Sequence, residues 1–166
     1  MRVLVAAAGS PGADAAETLD TAGFSVERVA TLANARVRTA TVSVAVVGEL
    51  RDGEAAELCG RLHGAGVDTP LVGLGRAGEY AVTVDGPNDE RLPAAVRLAP
   101  HAAAYREAVD GLYERCQRRV ADGDADEAGT DESDVALTAA RRTATEGLDR
   151  ARRLAGQTPY ELLFGD

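Results

Sequence analysis

Lysine and tryptophan are both missing from this chain, and aromatic residues make up only 4% of it. With 45% hydrophobic residues and so few rings, a core of ordinary size has to be built from Ala, Val and Leu, each of which buries less area than a ring does. No apolar run approaches the roughly 20 residues that a membrane-crossing helix needs. There are only two cysteines, Cys59 and Cys116, far apart and in no CxxC or other ligand spacing, which reads as two reduced, buried or half-buried thiols. The two histidines, His63 and His101, have no Cys, Asp or Glu at ligand spacing and read as surface or capping residues. Positive charge is also in deficit. Against 27 acids stand 18 basic residues, all arginine, for a net charge of −9. A field of that sign repels phosphate backbones and anionic lipid, so neither nucleic acid nor a membrane is expected as the main partner.

What is present alternates between strand and helix signals. Val3–Ala7 is a short apolar run ended by Gly9-Ser10-Pro11-Gly12. It suits a buried first strand, being too short for the apolar region of a signal peptide. Asp14–Ala22 reads as a helix closed by Gly23, Phe24–Ala30 as a strand, Leu32–Thr39 as a short helix and Val42–Val47 as a strand. Asp52-Gly53 opens a helix with Ala56, Leu58, Cys59 and Leu62 on its apolar side, and Pro70–Leu74 is a fourth strand. This order predicts a mostly parallel sheet flanked by helices. Only five residues, 75–79, precede Tyr80–Val84, fewer than a parallel crossover needs, so a fifth strand is expected to be antiparallel or irregular. Asn88 predicts the cap of a helix over Asp89–Leu98, which Pro100 should break or kink. A second helix follows, with Tyr105, Val109, Leu112, Cys116 and Val120 three and four apart. Residues 121–132 form an acidic linker, and Ser133 caps a last helix with Leu137, Ala140, Ala144, Leu148, Ala151 and Ala155 on one stripe. The two stripes match in length and predict an antiparallel C-terminal helical hairpin, marginal alone and in need of the α/β unit, the tail Tyr160–Phe164 or a second copy. The expected division is 1–99 and 100–166.

Few motifs offer chemistry. Gly9-Ser10-Pro11-Gly12 lies where anion-binding loops sit, but it is neither GxGxxG nor a Walker loop, and Pro11 removes a donor. Ser10, Ser25, Ser43 and Ser133 lie in no GxSxG elbow. Arg141, Arg142, Arg150, Arg152 and Arg153 make the last helix locally basic, a stripe that could meet an acidic partner or nucleic acid but more commonly pairs with the chain's own acids.

Arg2-Val3-Leu4-Val5, the helix ending Ala22-Gly23-Phe24, Asp52-Gly53-Glu54-Ala55-Ala56-Glu57-Leu58 and Gly66-Val67-Asp68-Thr69-Pro70-Leu71-Val72 together resemble a response-regulator receiver over residues 1–98. Tyr105–Val120 with Ser133–Gly156 is similar to HalX, the helical output domain that follows receivers in halophilic archaea. The acidic, lysine-free, Ala- and Val-rich composition also resembles proteins of those organisms. The resemblance implies a receiver fold with its fourth helix deleted and no phosphorylation chemistry. The family's acidic pair falls at Ala7-Ala8, its phosphoacceptor at Val47 or Gly48, its hydroxyl at Gly75 and its lysine near Asp85. Glu49, beside the acceptor position, could mimic a phosphoryl charge but reads as a solvated loop acid. Output in the family runs through the fourth helix and fifth strand, so a switch of that type is not expected here.

The sequence therefore predicts a cytoplasmic, non-catalytic regulatory protein with no catalytic, cofactor-binding or metal-binding residue. It would act on a histidine kinase, a receiver or a transcription factor, or on itself as a homodimer through the C-terminal helices. The alternative is a small nucleotide- or phosphate-binding enzyme using loop 9–12 at the sheet edge.

Overall fold

The computed structural model describes residues 1–51, 55–66, 68–75 and 80–122, with helical positions 138, 139, 142, 145, 146 and 149 beyond them. Five strands, β1 (Arg2–Ala6), β2 (Ser25–Val29), β3 (Val44–Val47), β4 (Leu71–Leu74) and β5 (Val82–Val84), form one sheet of order 2-1-3-4-5. Every neighbouring pair is parallel. Four helices accompany it: α1 (Gly9–Thr21), α2 (Leu32–Thr39), α3 (Ala55–Gly64) and α4 (Leu92–Asp122). The order is that of flavodoxin-like doubly wound sheets.

The central strands are apolar throughout because both faces are covered. On β1, Val3 and Val5 join the core under α1 and α4, made with Ala15, Leu19, Leu92 and Val96. Leu4 and Ala6 point the other way, into a second core with Leu32, Ala35, Leu58 and Leu62 from α2 and α3. Gly23, at φ 85°, turns the chain out of α1 while Phe24 N–H donates back to the Leu19 carbonyl at 3.1 Å. Thr31 caps α2, its hydroxyl accepting from Asn34 N–H at 3.4 Å.

Four expectations need correction. First, β5 is parallel to β4, pairing Val72 with Val82 and Leu74 with Val84. Seven residues, 75–81, suffice because β5 has only three residues, so the chain has little length to retrace. In the space where a crossover helix would lie, Tyr80 packs on the α2–α3 face, and a Cβ on Gly73 would meet its ring at 2.4 Å. Second, α1 starts at Gly9, so Gly9-Ser10-Pro11-Gly12 is its first turn and not a loop. Pro11 is tolerated there because first-turn N–H groups have no intrahelical partner. Third, of the break or kink expected at Pro100 the break does not occur, since α4 continues to Asp122. The core holds it on both sides of the proline, through Val96, Ala99 and Ala102. Fourth, Asn88 lies in a turn and Asp89 begins the cap, so the helix starts at Leu92.

The division placed at 99/100 falls inside α4. Of the acidic linker only residues 121 and 122 are described, as the end of α4; the rest of it, the apolar stripe of the last helix and the tail lie outside the described residues. Among the described residues no helix is long and apolar enough to cross a membrane.

Candidate functional site: a closed sheet edge and an open groove

In sheets of this order, ligands bind outside the carboxyl ends of the strands. Among the described residues the centre of that edge is filled by aliphatic side chains. Ala7 is fully buried. Gly48 sits so close that a Cβ on it would be 3.1 Å from the Ala7 methyl and 3.4 Å from Leu74 Cδ1. The backbone closes over the same place: Ala8 N–H donates to the Glu49 carbonyl at 2.7 Å, Gly48 N–H to Ala6 at 3.0 Å and Arg51 N–H to Ala30 at 3.1 Å. The start of α1 presses on the end of β1, where a Cβ on Gly12 would lie 2.2 Å from the Ala7 carbonyl oxygen. Arg28 reaches over to the Gly9 carbonyl at 3.3 Å. The Ala7 methyl and the Leu74 side chain thus fill the centre of the edge, and Glu49 is exposed beside it.

Asp85, after β5, takes part in an ion-pair clamp that the sequence reasoning missed. Arg91 Nη2 lies 2.7 Å from Asp85 Oδ2 and 2.8 Å from Asp89 Oδ2. Asp89 also accepts from Arg91 N–H at 2.8 Å and from Asp85 N–H at 3.1 Å, which fixes the β5–α4 turn and caps the helix. The Arg91 hydrogen bonds hold the Asp89 carboxyl below the usual carboxylate range, against the opposing effect of its burial. The signal for this clamp was the run Asp-Gly-Pro-Asn-Asp-Glu-Arg, turn formers and acids followed by one arginine.

Cys59 is buried beside Tyr80 and hydrogen-bonded to it; burial, then the thiol, push the Tyr80 phenol up to about 12, so it stays protonated. His101 is half-buried on α4, and Ser10 on α1, Ser25 on β2 and Ser43 just before β3 are exposed. Among the described residues no group of three His, Cys, Asp or Glu could hold a metal ion. The side chains of Cys116 and His63, and all of Ser133, lie outside the described residues.

At the opposite end of the sheet the surface is open. A groove of about 690 Å³ runs between α3, the approach to β4 and the middle of α4. Leu62, Pro70, Leu71 and Ala81 line it, together with Asp68, Glu107, Asp110 and Glu114. Arg106, in the same lining, donates to the Tyr80 carbonyl and ties α4 to the segment that enters β5. Among the side chains described on α4, the last in the core are Ala102 and Ala103. Beyond Arg106 the helix runs on for about 24 Å, carrying Val109 at 43% and Tyr113 at 64% exposure, one turn apart. Comparison with protein-family models, curated proteins and solved structures finds no match for this chain.

Proposed function

We propose that this chain is a non-catalytic regulatory protein: a receiver-like α/β unit without phosphorylation chemistry, joined to HalX-like helices. It works in the cytoplasm through protein contacts, in two-component-type signalling or transcription control. The observation that carries this reading is the aliphatic filling at the centre of the sheet's carboxyl edge among the described residues. Where a receiver would gather carboxylates, a hydroxyl and an ammonium, this chain has Ala7, Ala8, Gly48 and Gly75, with Leu74 packed across Gly48. Phosphoryl transfer needs charged groups converging on one point, and aliphatic side chains supply none. The extended part of α4, with exposed Val109 and Tyr113, offers contact area in its place.

The test is affinity capture from a high-salt extract with the full chain, set against a V109D/Y113D variant. Recovery of a histidine kinase, a receiver or a transcription factor with the parent chain only supports the reading. Recovery of the chain alone overturns it. Saturable thermal stabilisation by nucleotides or phosphate compounds would also overturn it, in favour of a small-ligand protein.

A further inference from the structure

We propose that the groove between α3, β4 and α4 is a docking site for an arginine-bearing amphipathic segment of another protein. This rests on the reading of the chain as a protein-contact module and adds one partner chemistry to it. The floor is aliphatic, with Leu62 on one side and Pro70, Leu71 and Ala81 beneath. The wall is acidic, and its origin lies in the periodicity of α4. Val96, Ala99, Ala103, Glu107, Asp110 and Glu114 follow one another at spacings of three and four, so they share one side of the helix. That side is apolar where it meets the sheet, at Val96 and Ala99, and acidic where it leaves the sheet and borders the groove.

Charge then selects the occupant. Asp68, Glu107 and Asp110 form no ion pair with any cationic side chain among those described. The guanidinium of Arg106 is engaged by the Tyr80 carbonyl. An anionic ligand would be repelled, and a neutral one would leave three carboxylates unused. A bare cation would need converging oxygens, and no such cluster occurs among the described residues. A helix or extended segment with apolar anchors one turn apart and flanking arginines meets both the floor and the wall. Val109, roughly 100° or more round α4 from the acidic positions, belongs to a different surface.

The experiment titrates the full chain into a labelled synthetic peptide of roughly 15 residues, long enough for helix formation, with leucines at i and i+4 flanked by three arginines. Fluorescence anisotropy should show saturable one-to-one binding. E107Q/D110N, at exposed positions, should weaken it about tenfold or more. E17Q/D20N, the same charge change on exposed positions of α1, should leave it within about twofold. Melting curves confirm that both variants fold. Absence of saturation overturns the proposal, as does equal weakening by the two variants, which would mark general attraction to an acidic surface. Binding that emerges only in R141E/R150E/R152E would assign the groove to the chain's own last helix. Self-association lost in E107Q/D110N would assign it to a second copy. Either result overturns the proposal. If the peptide fails to bind while V109D/Y113D still abolishes capture of a signalling protein, the groove assignment falls and the functional reading stands.

Discussion

Two glycines hold positions where a methyl group has no room, and they differ in what it would strike. At Gly12 the obstacle is the Ala7 carbonyl oxygen at 2.2 Å, fixed at the end of β1. At Gly73 it is the Tyr80 ring at 2.4 Å, a side chain with some freedom to tilt. Overpacking a well-filled interior costs about 1–3 kcal/mol, and more where backbone must move. G12A is therefore expected to lower the melting temperature more than G73A does. Joining Y80A to G73A should cost less than the sum of the two single changes, because the second removes the atoms the first collides with. An additive double variant would refute the Tyr80–Gly73 contact. The Asp89 clamp makes a separate prediction, in acid. Its folded carboxyl titrates below its unfolded value, so the stability it contributes is complete above the unfolded value and is lost as pH falls through the folded one. D89N should flatten that part of the acid-unfolding curve, whereas D89A should also cost about 1–2 kcal/mol at neutral pH through the lost cap. Denaturant melts across the acid range measure both.

Among the elements, α4 bears the clearest internal conflict. Pro100 is its ninth residue, where the ring removes one backbone donor and crowds the Val96 carbonyl. The helix persists because core contacts on both sides outweigh that cost. P100A should restore the hydrogen bond and stabilise the protein by about 1–3 kcal/mol; an unchanged or lowered melting temperature would mean that a bend at this point is needed for packing. The same conflict shows what local sequence can and cannot convey. The extent of α2, Leu32–Thr39, follows from its spacing and matches the structure. The apolar runs of β1, β3 and β4 also announce themselves, since a strand covered on both faces needs no polar alternation. The direction of β5 was not legible in this way. It depends on Tyr80 folding over Gly73 and on Arg106 holding the Tyr80 carbonyl, contacts seven and 26 residues apart in sequence. The groove escaped notice for the same reason: its floor and its acidic wall come from elements that only the closed sheet brings together.

For the molecule as a whole, α4 is the covering helix of one face and also runs past the sheet to Asp122 as one continuous element. Leu92, Ala95, Val96, Leu98, Ala99 and Ala102 are all buried against the sheet. Arg106, a turn further on, supplies the tie to Tyr80. A chain ended at residue 99 would keep most of those side chains but leave them on a frayed last turn. The final carbonyls would lack partners, Ala102 would be gone from the core, and the entry to β5 would lose its arginine. Helices this short are marginal without tertiary support, and here the support and the helix depend on each other. A chain ended at residue 122 keeps every one of these contacts. The 1–122 chain should therefore melt in a single cooperative transition near that of the full protein, and the 1–99 chain should melt early, broadly or not at all. Circular dichroism and calorimetry on the two truncations distinguish the outcomes. If 1–99 melts as sharply and as high as 1–122, the core extends no further than Ala99, and the remainder of α4 adds nothing to it. If it does not, the exposed end of α4 is continuous with a helix that is itself packed on β5, so binding at the groove or at Val109 and Tyr113 would be coupled to the sheet through α4.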